Sequence, residues 1–210
     1  MSYPRVIENL IESLMKLPGV GRRSAERMIF WLLDHPAEDA ERLSSGIREL
    51  KDRLRFCSSC NSFTETEVCP ICTDASRDRK ILCVVENPKD AVAIEKTGQF
   101  RGQYFVLQGT VIPSEGQGPE DLATQKLVQK IMDEGVEEVV IATDADMEGE
   151  LTALHLVKIF QPLGIRVSRI GIGLPAGGAV EFADMSTLAM SLRSRRDVAV
   201  SQPQGASDRS

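Results

Sequence analysis

Cys57-Ser-Ser-Cys60, followed after eight residues by Cys69-Pro-Ile-Cys72, divides the chain into two kinds of sequence. Four of the five cysteines fall within these sixteen residues as two C-x-x-C pairs. A C-x-x-C turn brings two thiolates to one point, and a second pair completes the tetrahedron that holds structural zinc. Four thiolates leave no position for water, so the expected ion is structural, one Zn2+ per chain. The loop between the pairs, Asn61 to Val68, is polar with Phe63 as its single aromatic. Such a loop needs a staple, and zinc supplies an apparent ~10–16 kcal/mol in small peptides. Two disulfides, or four unrelated thiols, are the other readings of the same cysteines. Sequence before the knot reads as helical, and sequence after it as α/β.

At 210 residues with 42% hydrophobics, the chain can build a real core as one large domain or two small units. No run approaches the roughly 20 apolar residues of a membrane span. The start, Met1-Ser-Tyr-Pro-Arg-Val, lacks the charged-then-apolar pattern of a secretory signal. Thiol-rich and signal-free, the chain reads as cytoplasmic, where cysteines bind metal more often than they form disulfides. The net charge of −6 argues against a generic polyanion binder, but it hides an asymmetry. Residues 1–56 carry ten Lys/Arg against nine Asp/Glu, whereas residues 80–197 carry twelve against seventeen. The N-terminal part is therefore the better candidate to touch nucleic acid.

In residues 1–56, Val6, Ile7, Leu10, Ile11, Leu14 and Leu17 recur at helical spacing. A second apolar helix runs through Met28, Ile29, Trp31, Leu32 and Leu33 and stops near Asp34-His35-Pro36. Leu43, Ile47, Leu50 and Leu54 mark a third. Between the first two lies Leu17-Pro18-Gly19-Val20-Gly21-Arg22-Arg23. Two glycines around one apolar residue let the backbone bend tightly and approach a ligand closely. The first amides of the next helix lack intrahelical partners and carry the positive dipole end, which suits phosphate. Arg22, Arg23 and Arg27 surround them. The pattern resembles the helix-hairpin-helix motif, which grips the sugar-phosphate backbone without reading bases. An ordinary helical hairpin with solvated arginines is the alternative.

Residues 80–175 alternate strand and helix. Ile81–Val85, Gln103–Leu107, Val136–Ala142 and Gly164–Ile170 read as strands, and helices at 91–96, 122–134 and beyond Glu150 separate them. That order implies a parallel sheet. Acids fall at strand ends, where such a sheet keeps its sites. Glu86 follows one strand; Asp144, Asp146, Glu148 and Glu150 follow another. A lone carboxylate followed by D-x-D would hold Mg2+. Those near the helix start would also complement its dipole. The set resembles the Toprim domain of topoisomerases and primases. Phe182 to Leu192 reads as a short final helix in a C-terminal segment, residues 176–197. The Ser/Gln/Gly-rich tail 198–210 reads as disordered. Cys83 reads as a core thiol, and neither His35 nor His155 has a metal-ligand pattern around it.

Hairpin, four-cysteine zinc finger (residues 57–72) and Toprim, in that order, resemble the RecR family of bacterial recombination mediators. The resemblance covers residues 1 to about 197 and includes Leu17–Arg27, the four zinc cysteines, Val85–Asp90, Gly118–Asp121, Glu148–Glu150 and Leu174–Gly178. It implies a non-enzymatic protein that binds single- and double-stranded DNA without sequence preference. It implies ring-like tetramers formed through the hairpin and C-terminal regions. It implies work with RecO and RecF to load RecA on gapped strands, with the Toprim domain as a docking platform. Arg23 and Arg27 match the basic residues the family uses on DNA. One departure stands out. The family commonly reads T-N-P-T-V-E-G-E at the second acidic site, and this chain reads Thr143-Asp-Ala-Asp-Met-Glu-Gly-Glu150. That keeps a Mg2+-dependent Toprim phosphodiesterase as the alternative function, and a pure interaction module as a third. Against a topoisomerase, Tyr3 and Tyr104 are the only tyrosines, and no strand-passage domain is left over.

Overall fold

In a computed structural model, the protein is described over residues 3–118, 120 and 122–195. The last two residues of the 176–197 segment, the 198–210 tail, and Pro119 and Asp121 of the Gly118–Asp121 stretch lie outside the described residues. Two compact units form: Met1–Arg55 with Thr64–Thr66, and Phe56–Phe63 with Glu67–Ser210.

Helical periodicity becomes three helices in the first unit: α1 (Arg5–Leu14), α2 (Arg22–Asp34) and α3 (Ala37–Arg53). The core is small. Ile11 packs against Ala25 and Ile29, with Ile7, Leu14 and Val20 partly buried around them. Leu17 falls in the turn, exposed, because α1 ends at Leu14. Pro36 separates α2 from α3 and precedes the first residue of α3. The 17-residue α3 buries none of its residues.

The second unit begins within the short paired strands β1 (Arg55–Phe56) and β2 (Phe63–Thr64). A single turn, α4 (Pro70–Thr73), ends the cysteine loop. Then come β3 (Asp78–Val85), α5 (Pro88–Glu95), β4 (Gly102–Val106), α6 (Thr124–Glu134), β5 (Glu138–Ala142), α7 (Met147–Phe160), β6 (Arg166–Arg169) and α8 (Met185–Arg193). The four long strands form a parallel sheet in the order β4-β3-β5-β6. The last four residues of β3 are buried, as a strand covered on both faces requires. Leu82 and Val84 point into the layer that holds Leu127, Ile131 and Leu156 of α6 and α7. Cys83 and Val85 point the other way, toward Ala91 of α5, Tyr104 and Ile71 of the cysteine loop. Cys83 is thus the core thiol its strand position predicts.

The final helix starts later than its apolar spacing suggests. Val180–Phe182 is a single 3-10 turn. Asp184 then caps α8, its carboxylate accepting from the Thr187 N–H at 2.9 Å.

The strand order reverses between β3 and β5. From β3 the chain moves outward to β4, then returns past β3 to β5. In an open α/β sheet, such a reversal opens a crevice for a site at the carboxyl ends of those two strands. Register pairs Val85 with Ala142, so Glu86 and Thr143-Asp144 leave the sheet side by side.

Candidate functional site

The corner between α1 and α2 is built by one glycine through its conformation and by the other through its openness. Gly19 has φ +78, a left-handed backbone that favours glycine. Gly21 precedes α2 with φ −87, which any residue can adopt, and a Cβ there would meet nothing within 4 Å. No side chain caps α2. The first intrahelical bond is Ala25 N–H to Gly21 O at 3.0 Å, so the preceding amides lack helical partners.

The three arginines differ. Arg22 donates to Glu8 at 2.9 Å and to Glu26 at 3.1 Å, bracing α1 against α2. These carboxylates, Glu8 first, raise its pKa. Arg23 and Arg27 are exposed and form no ion pair among the described residues. They are four residues apart and so share one face of α2.

The four cysteines converge. Their sulfurs lie within 4.8 Å of one another, all buried and none in a disulfide. Cys60 Sγ and Cys69 Sγ are 3.6 Å apart. Zn–S bonds of about 2.3 Å in a tetrahedron separate sulfurs by about 3.8 Å. The residues therefore fit zinc, and the disulfide reading fails. Backbone amides support the thiolates: Cys69 N–H donates to Cys57 Sγ at 3.2 Å. The thiol of Cys69 is held far below its usual range, first by hydrogen bonding from Cys60, whose own pKa is driven up by the same contact.

The knot is fastened to the sheet rather than free. Val106 N–H donates to Cys60 O at 2.8 Å, and Asn61 Nδ2 donates to Val106 O at 3.2 Å. Asn61 adopts φ +59, a left-handed turn that asparagine tolerates. From α6, Lys126 donates to the Asn61 side chain and Lys130 to Ser59 Oγ. These contacts span 65 and 71 positions, so no local pattern announced Asn61, Lys126 or Lys130. The knot thereby bonds the last residue of β4, the edge strand of the sheet.

The predicted acids reach the crevice but do not assemble. Glu86 is 3% exposed, and Asp144 N–H donates to its Oε1 at 3.0 Å. Burial pushes its pKa up to about 7, against the pull of that amide. Asp146 caps α7, its Oδ1 accepting from Gly149 N–H at 2.8 Å. Glu148 lies in the first turn of α7, where it complements the dipole. Glu150 is paired with Arg169 at 2.6 Å. Gly149 is required sterically: a Cβ there would sit 2.1 Å from Asp144 O. Among the described residues the cysteines, and not Glu86, Asp144 and Asp146, form a cluster tight enough for an ion. As placed, the acids do not fit Mg2+.

Four family models match in chain order. They are the RecR helix-hairpin-helix over residues 7–51, the RecR four-cysteine zinc finger domain over 54–74, the Toprim domain over 80–171, and the RecR C-terminal model over 173–196. The chain is 46% identical to the "Recombination protein RecR" of Myxococcus xanthus (strain DK1622) over 195 residues, 93% of this chain and 99% of that protein. It is 46% identical to the protein of that name from Acidothermus cellulolyticus over 198 residues, 94% and 100% of the two. For Tropheryma whipplei (strain Twist) the figures are 45% over 194 residues, 92% and 98%.

Proposed function

The chain belongs to the RecR family, and from that premise we propose that it is a DNA-binding mediator of recombinational repair. It holds DNA of any sequence, single- or double-stranded, through the Gly19–Arg27 corner. The observation that supports this is the combination of uncapped α2 amides with two exposed guanidinium groups on one helix face that pair with no acid among the described residues. Nothing in that set reads a base edge, so it is a positioning contact. The protein works with RecO and RecF to load RecA on gapped single strands, as a ring of copies, in the cytoplasm at the nucleoid. Among the described residues no helix is long and apolar enough to cross a membrane.

The Toprim unit serves as a platform and turns nothing over. Its acids are engaged in holding the fold: Asp146 as a cap, Glu150 in an ion pair, Glu86 buried against an amide. Partners dock at the exposed rim of that crevice, where Asp144 and Asp146 remain accessible.

Anisotropy titrations at several salt concentrations test the reading. Arg23→Ala with Arg27→Ala is expected to weaken binding to every sequence alike. The slope of log K against log salt should fall by about 0.7–0.9 per lost phosphate contact. Unchanged binding in the double variant rejects the corner as the DNA site. Highly purified protein incubated with supercoiled plasmid and Mg2+ should leave it intact. Nicking that vanishes in Asp144→Asn would restore the phosphodiesterase.

A further inference from the structure

Phe56 and Phe63, on β1 and β2, are 55% and 51% exposed. They stack on each other with centroids 5.5 Å apart and planes 22° apart. From Phe63 a groove of about 570 Å3 crosses the outer face of α5, lined by Pro88, Lys89, Val92 and Lys96. Lys89 and Lys96 form no ion pair among the described residues. Among the described residues no carboxylate lines the groove. The acids of α5 are occupied elsewhere. Asp90 accepts from Asn87 N–H at 2.9 Å, and Glu95 accepts from Arg77 and from the Tyr104 hydroxyl. On an acidic unit this is a local cationic strip with an aromatic end.

We propose that this groove is a contact for single-stranded DNA, with a base stacked on Phe63 and phosphates held by Lys89 and Lys96. The lysines are seven residues apart, Lys89 in the first turn of α5 and Lys96 at its C-cap, about 10 Å along the axis at about 1.5 Å per residue, so their long side chains are set to hold phosphates a nucleotide or two apart on one strand. Aromatic faces beside a positively charged groove bind single strands without sequence preference. A duplex keeps its base faces stacked inside, so the phenyl platform adds nothing for it. The inference rests on the reading of the molecule as a DNA binder, but not on the α1–α2 corner as the site.

The test uses the full chain with a labelled oligo(dT) and a duplex of equal length. Phe63→Ala and the pair Lys89→Gln with Lys96→Gln should each lower single-strand affinity roughly five-fold or more, given the usual cost of losing a stacked base. Duplex affinity should stay within about two-fold. Phe63→Leu, which keeps an apolar side chain, should lose as much as Phe63→Ala, and Phe63→Trp should restore binding. Ultraviolet crosslinking of a 5-iodouracil oligonucleotide should map to the Phe63 peptide. Arg23→Ala with Arg27→Ala should weaken both forms. If that pair changes nothing while the groove variants do, the corner fails and the groove stands. Single-strand affinity unchanged in the groove variants overturns the proposal. So does an equal loss for duplex, which marks a generic charged patch. So does binding of a labelled Asp/Phe-rich peptide that the groove variants lose while keeping oligo(dT), which marks a protein-docking groove.

Discussion

At Glu86 the carboxyl group sits where water has been removed by β3, β5 and the chain after them. Its folded pKa of about 7 lies above its ordinary 4.5, chiefly because burial disfavours the charge. Between those values the native protein holds a proton that the unfolded chain releases. Stability therefore falls as pH rises from about 4.5 to about 7, and is flat above that. Glu86→Gln keeps an oxygen for the Asp144 N–H and removes the ionisation. Its melting temperature relative to wild type should rise between pH 5 and pH 8, as measured by thermal unfolding at both. A difference that stays constant with pH would show that Glu86 ionises normally. The sequence located this residue but not its state, because burial is conferred by neighbours that only the sheet order brings together. Gly149 was legible as part of a motif. Its reason, the approach of Asp144 O, arises only in the folded chain. Arg22 read as equal to Arg23 and Arg27, and only the fold shows it committed to Glu8.

The elements that periodicity could announce were legible, and those held by other means were not. Strands β3 to β6 and helices α5 to α7 follow their apolar patterns to within a few residues. By contrast β1, β2 and α4 have two to four residues each, too few for any period. The cysteine quartet sets their conformation instead. That makes the knot a structural part of the sheet as well as of its own loop, since Cys60 and Asn61 bond the edge of β4. Purified protein should contain one zinc per chain by elemental analysis. Removing it, by chelation under reducing conditions or by Cys69→Ser, should lower the stability of the second unit by several kcal/mol. The loss should be less than the ~10–16 kcal/mol of isolated zinc peptides, because the contacts of Lys126 and Lys130 outlast the ion. Amide exchange at Val106 should accelerate in the metal-free protein. Protection there that survives full zinc removal would show that the end of β4 is held without the ion.

The molecule as a whole leaves apolar surface that a lone chain in water has no reason to keep. Leu43, Ile47 and Leu50 of α3 are all more than half exposed, although their spacing is that of a helix face meant for a neighbour. Near the other end, Phe182 and Met185 are 84% and 88% exposed. Patches of this kind mark interaction sites, and a second copy of the chain is the occupant that the proposed ring calls for. Charge points the same way. A chain of net charge −6 repels DNA at long range unless its unpaired arginines are gathered on one side of an assembly. Light scattering should thus give a mass near four times 23.1 kDa. Leu43→Glu with Ile47→Glu should lower that mass while leaving helical circular dichroism and zinc content unchanged. DNA affinity should fall with it, by about the factor lost when linked contacts become independent, on the order of ten-fold or more. The same should follow from Phe182→Ser with Met185→Ser if the C-terminal region supplies the second interface. A wild-type mass of 23.1 kDa, with and without DNA, would end the ring proposal. The exposed faces would then belong to partner proteins instead.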